Sequence, residues 1–477
     1  MNICKHDEYC GGCIYQGVPY EEQLKIKENQ VIQLLKDKDA QVLKMDGIEG
    51  CPGAYRYRNK MEYTFGDLVK DGPMTLGMHK KGNYMSIITV DECQLVDQDF
   101  NRILSYTLNF AEKREYKFYH KKSHKGLLRN LIVRKGVRTG QLLVNIVTSS
   151  QEDFDEDGFV SGLLTLELDN EVVGVLRTFN DRLADAVVCD SLKTLWGRDY
   201  YMENLLGLSF KVSAFSFFQT NIEAVERLYA EALNLAGCLT GKNVFDLYCG
   251  TGTISQIMAL KAKSVLGIEL VPEAVAAATE NARLNGLDNC RFIAGDVFEV
   301  LKTVEEKPDV IVVDPPRVGI QTKALGKILE YGVEQIVYVS CNPKTLADNI
   351  KFMEGYGYQC QYLKPYDNFP FTKHVETVVL LSKGEIDSKK VRVEFSLEDM
   401  DMSEFQDGAT YPQIKEYVLE HTGLKVSNLY ISQIKRKCGL EVGKNYNLPK
   451  SEDSRQPQCP PEKEKAIREA FKYFGMI

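Results

Sequence analysis

No stretch of about eighteen consecutive apolar residues occurs in this 477-residue chain, so the sequence offers no membrane-spanning helix. The opening Met1-Asn2-Ile3-Cys4-Lys5-His6-Asp7 lacks the apolar centre of a secretory signal, and a cytoplasmic protein is the expectation. Excess positive charge is missing too: 59 Lys and Arg against 67 Asp and Glu leave a net charge of −8. That balance argues against a uniformly polyanion-binding surface and moves the question to local patches. No internal repeat is visible. What is present is globular composition, 44% hydrophobic and 26% charged, enough for roughly two to four domains. Thirteen cysteines in a chain expected in a reducing compartment point to metal ligands and nucleophiles rather than disulfides.

Along the chain, Cys4, Cys10 and Cys13 precede a segment, Val18 to Lys36, that reads as a polar amphipathic helix. Strand-like, basic text follows from Ala54 to Ile88. Between Lys113 and Arg138 ten Lys or Arg stand against one acid, Glu115, with Tyr116, Phe118, Tyr119 and His124 among them; this suits a phosphate-binding surface. Short apolar runs continue to about Tyr201 and predict an antiparallel or mixed sheet. After Leu208 strand-like runs alternate with helical ones: Asn243–Leu247, Val265–Glu269, Arg291–Ile293, Val310–Asp314, Ile336–Ser340 and finally Thr377–Leu381. Such spacing predicts a doubly wound, mainly parallel sheet. Beyond Gly384 the text becomes charged. Pro412 to Gly439 reads as two helices turning near Thr422-Gly423, a Ser/Pro-rich stretch runs from Pro449 to Pro461, and a last helix spans Glu462 to Phe474.

Phe245-Asp246-Leu247-Tyr248-Cys249-Gly250-Thr251-Gly252-Thr253 sets a glycine-rich turn between a strand and a helix. Glycines there let backbone amides approach a ligand and present a helix N-terminus to it. A plain packing turn would have the same glycines. Glu269, however, ends the next strand, where a carboxylate can accept hydrogen bonds from both ribose hydroxyls, and Asp296 follows the third, in reach of an adenine amine. The turn lacks the three glycines of the dinucleotide fingerprint. It resembles the first motif of class I S-adenosylmethionine methyltransferases.

Two further strand ends carry Asp314-Pro315-Pro316-Arg317 and Ser340-Cys341-Asn342-Pro343. A lone strand-end cysteine is usually a small buried hydrophobe. Here two such segments end adjacent strands of an open parallel sheet, whose ligand crevice lies past the strands' carboxyl ends.

With Tyr57-Arg58-Asn59-Lys60, Phe217-Phe218-Gln219-Thr220-Asn221 and His374-Val375-Glu376-Thr377, these segments resemble, in order, the RNA uridine C5-methyltransferase family, and its iron-sulfur branch acting on 23S ribosomal RNA. The likeness runs from Cys4 to about Ser382. It implies a class I S-adenosylmethionine fold with a seven-stranded sheet over residues 209–384. It implies an α+β iron-sulfur and RNA-binding domain over 1–208, and leaves 385–477 as a small, mostly helical extension. Carbon 5 of uracil is a poor nucleophile; the family adds a thiolate to carbon 6 first, a role that falls on Cys341. The base that later removes the carbon 5 proton is then Glu376. Gln219, Tyr248, Glu269, Asp296 and Asp314 are the implied cofactor contacts, with Asp314 also holding the base edge. Phe215-Ser216-Phe217-Phe218 reads as core or as a stacking surface for a splayed-out base.

Cys4, Cys10 and Cys13 form C-x5-C-x2-C, with Cys93 in Asp91-Glu92-Cys93-Gln94. Four thiolates fit tetrahedral zinc or a cubane cluster, and spacing alone does not choose. The resemblance implies a [4Fe-4S] cluster, with zinc the alternative. Methyl transfer moves no electrons, so the cluster's implied role is structural or RNA-shaping. The remaining cysteines, Cys341 aside, read as structural or incidental. The implied partner is structured RNA, 23S rRNA first and the tRNA T-loop second, with no membrane and no obligate protein partner indicated. A non-catalytic RNA-binding or assembly factor is the reading from another class. Many ribosomal-RNA members begin with a small β-barrel RNA-binding domain; with the cysteines starting at residue 4 none is expected here, and Pro412 through Lys437 reads as a helix-turn-helix-like substitute for it.

Overall fold

Every second residue of the strands after residue 240 points to the same apolar layer, which is why a sheet forms there with both faces covered. Val244, Val310, Val312, Val337 and Val339 enter one core; Phe245, Leu247, Ile311, Val313, Ile336 and Tyr338 enter the other. The computed structural model describes residues 3–184, 186–383, 411–422, 424–438, 440, 459–473 and 476. The chain divides into two compact units, Met1–Ile386 and Asp387–Ile477.

In chain order the first unit runs α1 (Tyr20–Asp37), β1 (Lys60–Asp67), β2 (Met74–Lys80), β3 (Asn83–Thr89), α2 (Gln98–Lys113), β4 (Leu128–Gly136), β5 (Gln141–Thr148), α3 (Glu156–Leu163), β6 (Glu171–Phe179) and β7 (Ser191–Gly197). These seven strands make one mixed sheet, ordered β3-β2-β1-β4-β5-β6-β7, antiparallel except for the β5–β6 pair that α3 connects. A small hairpin, β8 (Tyr200–Leu205) with β9 (Leu208–Ser213), leads out of it.

The second sheet is built from α4 (Ile222–Leu235), β10 (Asn243–Leu247), α5 (Thr253–Ala259), β11 (Ser264–Glu269), α6 (Pro272–Leu284), β12 (Cys290–Ala294), α7 (Val297–Val300), β13 (Val310–Val313), α8 (Thr322–Glu330), β14 (Gln335–Ser340), α9 (Pro343–Glu354), β15 (Tyr358–Tyr366) and β16 (Glu376–Lys383). Its order is β12-β11-β10-β13-β14-β16-β15, parallel as far as β14 and antiparallel at β16 and β15. This is the class I methyltransferase sheet of seven strands. The order reverses between β10 and β13, so the crevice belongs beyond their carboxyl ends. The apolar runs read from sequence account for six strands. β15 was missed, because Tyr358-Gln359-Cys360-Gln361-Tyr362 alternates without a continuous apolar run.

The helix expected over Val18 to Lys36 begins after Pro19 and buries Gln23, Lys27, Val31 and Leu35 along one face. It packs on α9, and residues 42–49 bridge in parallel to β15. The beginning of the chain is thereby built into the second sheet.

In the second unit α10 (Tyr411–Thr422), α11 (Asn428–Lys437) and α12 (Pro461–Tyr473) pack around Ile414, Val418, Ile431, Ile434, Ile467 and Phe471. Gly384, the turn residue Gly423 and the stretch from Pro449 to 458 lie outside the described residues.

Candidate functional site

β10 delivers its chain into a turn that only special backbone conformations can make. Tyr248, Gly250 and Gly252 have φ of 66°, 54° and 74°. At Gly252, which caps α5, an added Cβ would stand 2.8 Å from the Phe292 ring, so glycine is required for packing. At Gly250 nothing lies within 4 Å of such a Cβ; the turn faces open space there. Glu269, at the end of β11, closes one side. Its Oε2 accepts the Gly250 amide at 3.1 Å and its Oε1 the Val271 amide at 3.0 Å. Asp296 is exposed beyond β12, with Oδ1 accepting the Glu299 amide at 3.2 Å. Behind the turn Asp246 is fully buried and accepts a hydrogen bond from Ser255; burial pushes its carboxyl up to about 7. The sequence reading passed over it, although a lone acid inside an apolar strand is a visible signal.

Gln219 reaches the inner end of the crevice, where its Nε2 donates to the Tyr229 hydroxyl at 3.1 Å. Tyr229 lies buried on α4, where burial and then the Asp314, Glu376 and Asp246 carboxylates push its hydroxyl well above its ordinary value. It too escaped the sequence reading, which saw only a helical aromatic. Phe218 is core, whereas Phe217 is 67% exposed.

Asp314 and Cys341 follow the ends of the paired strands β13 and β14. Asn342 fixes the second loop: its side chain caps α9 by accepting the Lys344 amide at 3.2 Å, and its Nδ2 donates to the Arg317 carbonyl at 2.8 Å. The two loops are thus pinned together. Glu376, the first residue of β16, is 8% exposed. Burial pushes its carboxyl up to about 7, with Arg317 opposing. Burial, Glu376 and then Asp314 push the Cys341 thiol up to about 11, again with Arg317 opposing. Asp314 is held well above the carboxylate range by burial and by Glu376 and Asp246. His374 is pulled down to about 4 by burial and then by Arg317 and other cations, leaving it neutral near pH 7. The site therefore holds two carboxyls of raised pKa around a thiol, an arrangement suited to handling protons near neutrality.

Cys4, Cys10, Cys13 and Cys93 come together in space, each lying close enough to affect another's charge. The N-terminal loop is laid on β2 by the Gly11 amide donating to the His79 carbonyl at 3.0 Å, and Asn101 clasps the Cys93 backbone at 3.1 and 3.2 Å. Burial pushes Cys13 up to about 12 and Cys93 up to about 11. The Gly12 amide already donates to Cys10 Sγ at 3.4 Å, and the Leu95 and Val96 amides point at Cys93. Four half-buried thiols, with amides directed at the sulfurs of Cys10 and Cys93, are a donor set of the chemical kind that holds an iron-sulfur cluster or zinc.

The basic segment is smaller than its sequence implied. Arg114 pairs with Asp155, Lys135 with Asp97 and Arg138 with Glu226. Arg129 is buried, donating to the carbonyls of Asn180, Arg182 and Ala184, and Arg134 donates to the Ser216 carbonyl. Lys113, Lys117, Lys122 and Lys125 are exposed. Half of the ten cations serve the fold. No helix among the described residues is long and apolar enough to cross a membrane.

Residues 198–384 match the family described as tRNA (Uracil-5-)-methyltransferase. An RNA methyltransferase of Clostridium tetani is 50% identical over 376 residues, covering 79% of this chain and 82% of that protein. One from Caldanaerobacter subterraneus is 49% identical over 381 residues, covering 80% and 84%. Among solved structures, the Pyrococcus abyssi tRNA (uracil-54, C5)-methyltransferase in complex with S-adenosyl-L-homocysteine superposes with a TM-score of 0.64 at 25% identity, over 78% of this chain and 86% of that one. The chain belongs to the RNA uracil-5-methyltransferase family and is an S-adenosylmethionine-dependent RNA methyltransferase.

Proposed function

We propose that the protein methylates carbon 5 of a uridine in 23S rRNA through a covalent bond between Cys341 and carbon 6 of the base. The observation that carries the chemistry is the meeting of Cys341, Asp314 and Glu376 at the ends of β13, β14 and β16, beside the glycine turn. S-Adenosylmethionine, when bound, supplies an electrophilic methyl group. Gln219, Tyr248, Glu269, Asp296 and Asp314 are the residues to hold it, Glu269 lying at the crevice rim. Cys341 adds to carbon 6 and turns the ring into an enolate, so that carbon 5 becomes nucleophilic. Asp314, whose carboxyl burial and the Glu376 and Asp246 charges push toward its protonated form, is placed to hydrogen-bond the uracil edge. Glu376 then takes the carbon 5 proton, and Cys341 leaves.

The four cysteines support the ribosomal assignment, with a [4Fe-4S] cluster as their occupant and the surface around Lys117, Lys122 and Lys125 as an RNA contact. The likeness to the Pyrococcus abyssi enzyme favours a second reading, the same chemistry on a tRNA uridine. Mapping 5-methyluridine by mass spectrometry in total RNA from cells lacking the protein separates them. Loss confined to 23S rRNA supports the first reading; loss confined to tRNA replaces it with the second.

A further inference from the structure

Glu376 pairs with Tyr366, the last residue of β15, so residues 367–375 form the loop that delivers this carboxylate to the crevice. Each residue from Asp367 to Phe371 is gripped by a group outside the loop. The Asp367 amide donates to the Glu49 carbonyl at 2.8 Å, while its Oδ1 accepts Lys27 Nζ at 2.6 Å, both side chains being fully buried. Lys27 also donates to the Phe369 carbonyl at 3.0 Å. Asn221 donates to the Asn368 carbonyl at 2.7 Å and Tyr57 to the Pro370 carbonyl at 3.0 Å. Gln23 Oε1 accepts the Phe371 amide at 2.9 Å, and the Ile14 and Tyr15 amides donate to the Phe371 carbonyl.

Two features show that this grip imposes a shape. Phe371 is buried with φ of 66°, a left-handed conformation that a bulky side chain adopts only when its surroundings dictate it. A buried Lys–Asp pair is also a poor way to gain stability, since apolar side chains of similar volume would serve as well or better, but it fixes register. The anchors Gln23 and Lys27 are four residues apart on the buried face of α1, and their side-chain bonds go to the loops rather than to Glu376 itself.

We propose that Lys27 and Gln23 are positioning residues for Glu376, acting through the strap 367–375 on the last step of the reaction. The proposal rests on the reading of Glu376 as the base. In that step the carbon 5–hydrogen bond breaks and its proton goes to the Glu376 carboxylate. The electron pair closes the carbon 5–carbon 6 double bond, and the carbon 6–sulfur bond breaks to release the Cys341 thiolate. A displaced carboxylate slows elimination and leaves the earlier addition and methyl transfer intact, so the methylated enzyme–RNA adduct accumulates.

The experiment compares the full-length wild type, Glu376→Gln, Lys27→Met and Gln23→Leu, the last keeping the buried ion pair in case loss of Lys27 prevents folding. Each is incubated with substrate RNA and labelled S-adenosylmethionine and run on a denaturing gel. The expected result is that every variant that folds accumulates labelled adduct, with kcat down at least tenfold and KM for both substrates within about threefold. Wild-type kcat in folded Gln23→Leu, or a lowered kcat without adduct while Glu376→Gln does accumulate it, overturns the positioning role. Absence of adduct in Glu376→Gln itself overturns the assignment of the base, and this proposal with it.

Discussion

Cys341 stands one step beyond Ser340 on β14, and Glu376 one step before Thr377 on β16, while Ser340 and Thr377 are partners in the antiparallel ladder. The thiol and the carboxyl are therefore neighbours across two strands, far apart in sequence and fixed by register. Burial raises both groups, and the Glu376 charge adds to the rise of the Cys341 thiol.

That adjacency separates two variants. Under the proposed mechanism Cys341→Ala removes the nucleophile: methyl incorporation is expected to fall by about 10³-fold or more, and no adduct to form with RNA carrying 5-fluorouridine. Glu376→Gln also loses turnover but still forms the adduct. Retention of a tenth of wild-type activity by Cys341→Ala would remove the covalent route.

A carboxyl raised to about 7 gives kcat a rising limb as pH passes through neutrality, because the base works only when ionised. Stability runs the other way. The folded state holds this proton more tightly than the unfolded chain does, so the unfolded state binds fewer protons between the ordinary carboxylate value and about 7, and stability declines across that window. Glu376→Gln, which carries no charge there, gains up to about 3 kcal/mol over wild type above pH 7. Thermal unfolding of both proteins across pH 5–8 measures this; parallel curves would contradict the raised value.

The placement of the candidate residues at strand ends was legible because it is local: a glycine turn after β10, an acid ending β11, and Asp-Pro-Pro and Ser-Cys-Asn-Pro segments after β13 and β14 follow apolar runs directly. What escaped depends on partners distant in sequence. Tyr229 looks like an ordinary core aromatic until Gln219 and Asp314 surround it. Gln23 and Lys27 belong to a helix that reads as polar, yet lie buried because a loop some 340 residues away supplies their hydrogen bonds. Charge density along Lys113 to Arg138 misled in the opposite direction, because Arg129 and Arg134 turn inward to backbone carbonyls.

Glu269 is held by two backbone amides and is thereby aimed before any ligand arrives. Under the proposed function, Glu269→Ala removes both the ribose acceptor and the pin on Gly250. S-Adenosylhomocysteine affinity measured by calorimetry is expected to fall about 10- to 100-fold, or about 1.4–2.8 kcal/mol, with adduct formation on 5-fluorouridine RNA retained. Unaltered affinity would place the cofactor elsewhere.

For the cysteine pocket, anaerobic preparation is expected to give iron and acid-labile sulfide in equal amounts. Cys13→Ser is expected to lose both and to unfold several degrees earlier, since a bound centre would tie the loop bearing Cys10 and Cys13 to the segment bearing Cys93. Stoichiometric zinc without sulfide would identify the other occupant.

The RNA surface is tested by reversing Lys117, Lys122 and Lys125 to Glu. These side chains are exposed around the turn after α2, where loss of charge leaves the core untouched. RNA affinity is expected to fall and the slope of log K against log salt to shrink by about 2 to 3, approaching one unit for each phosphate no longer neutralised. Arg129→Lys is the control from the same stretch of sequence. Its buried guanidinium serves three carbonyls, so that change should lower thermal stability and leave the salt slope alone. An unchanged slope in the triple variant would show that RNA approaches by another face.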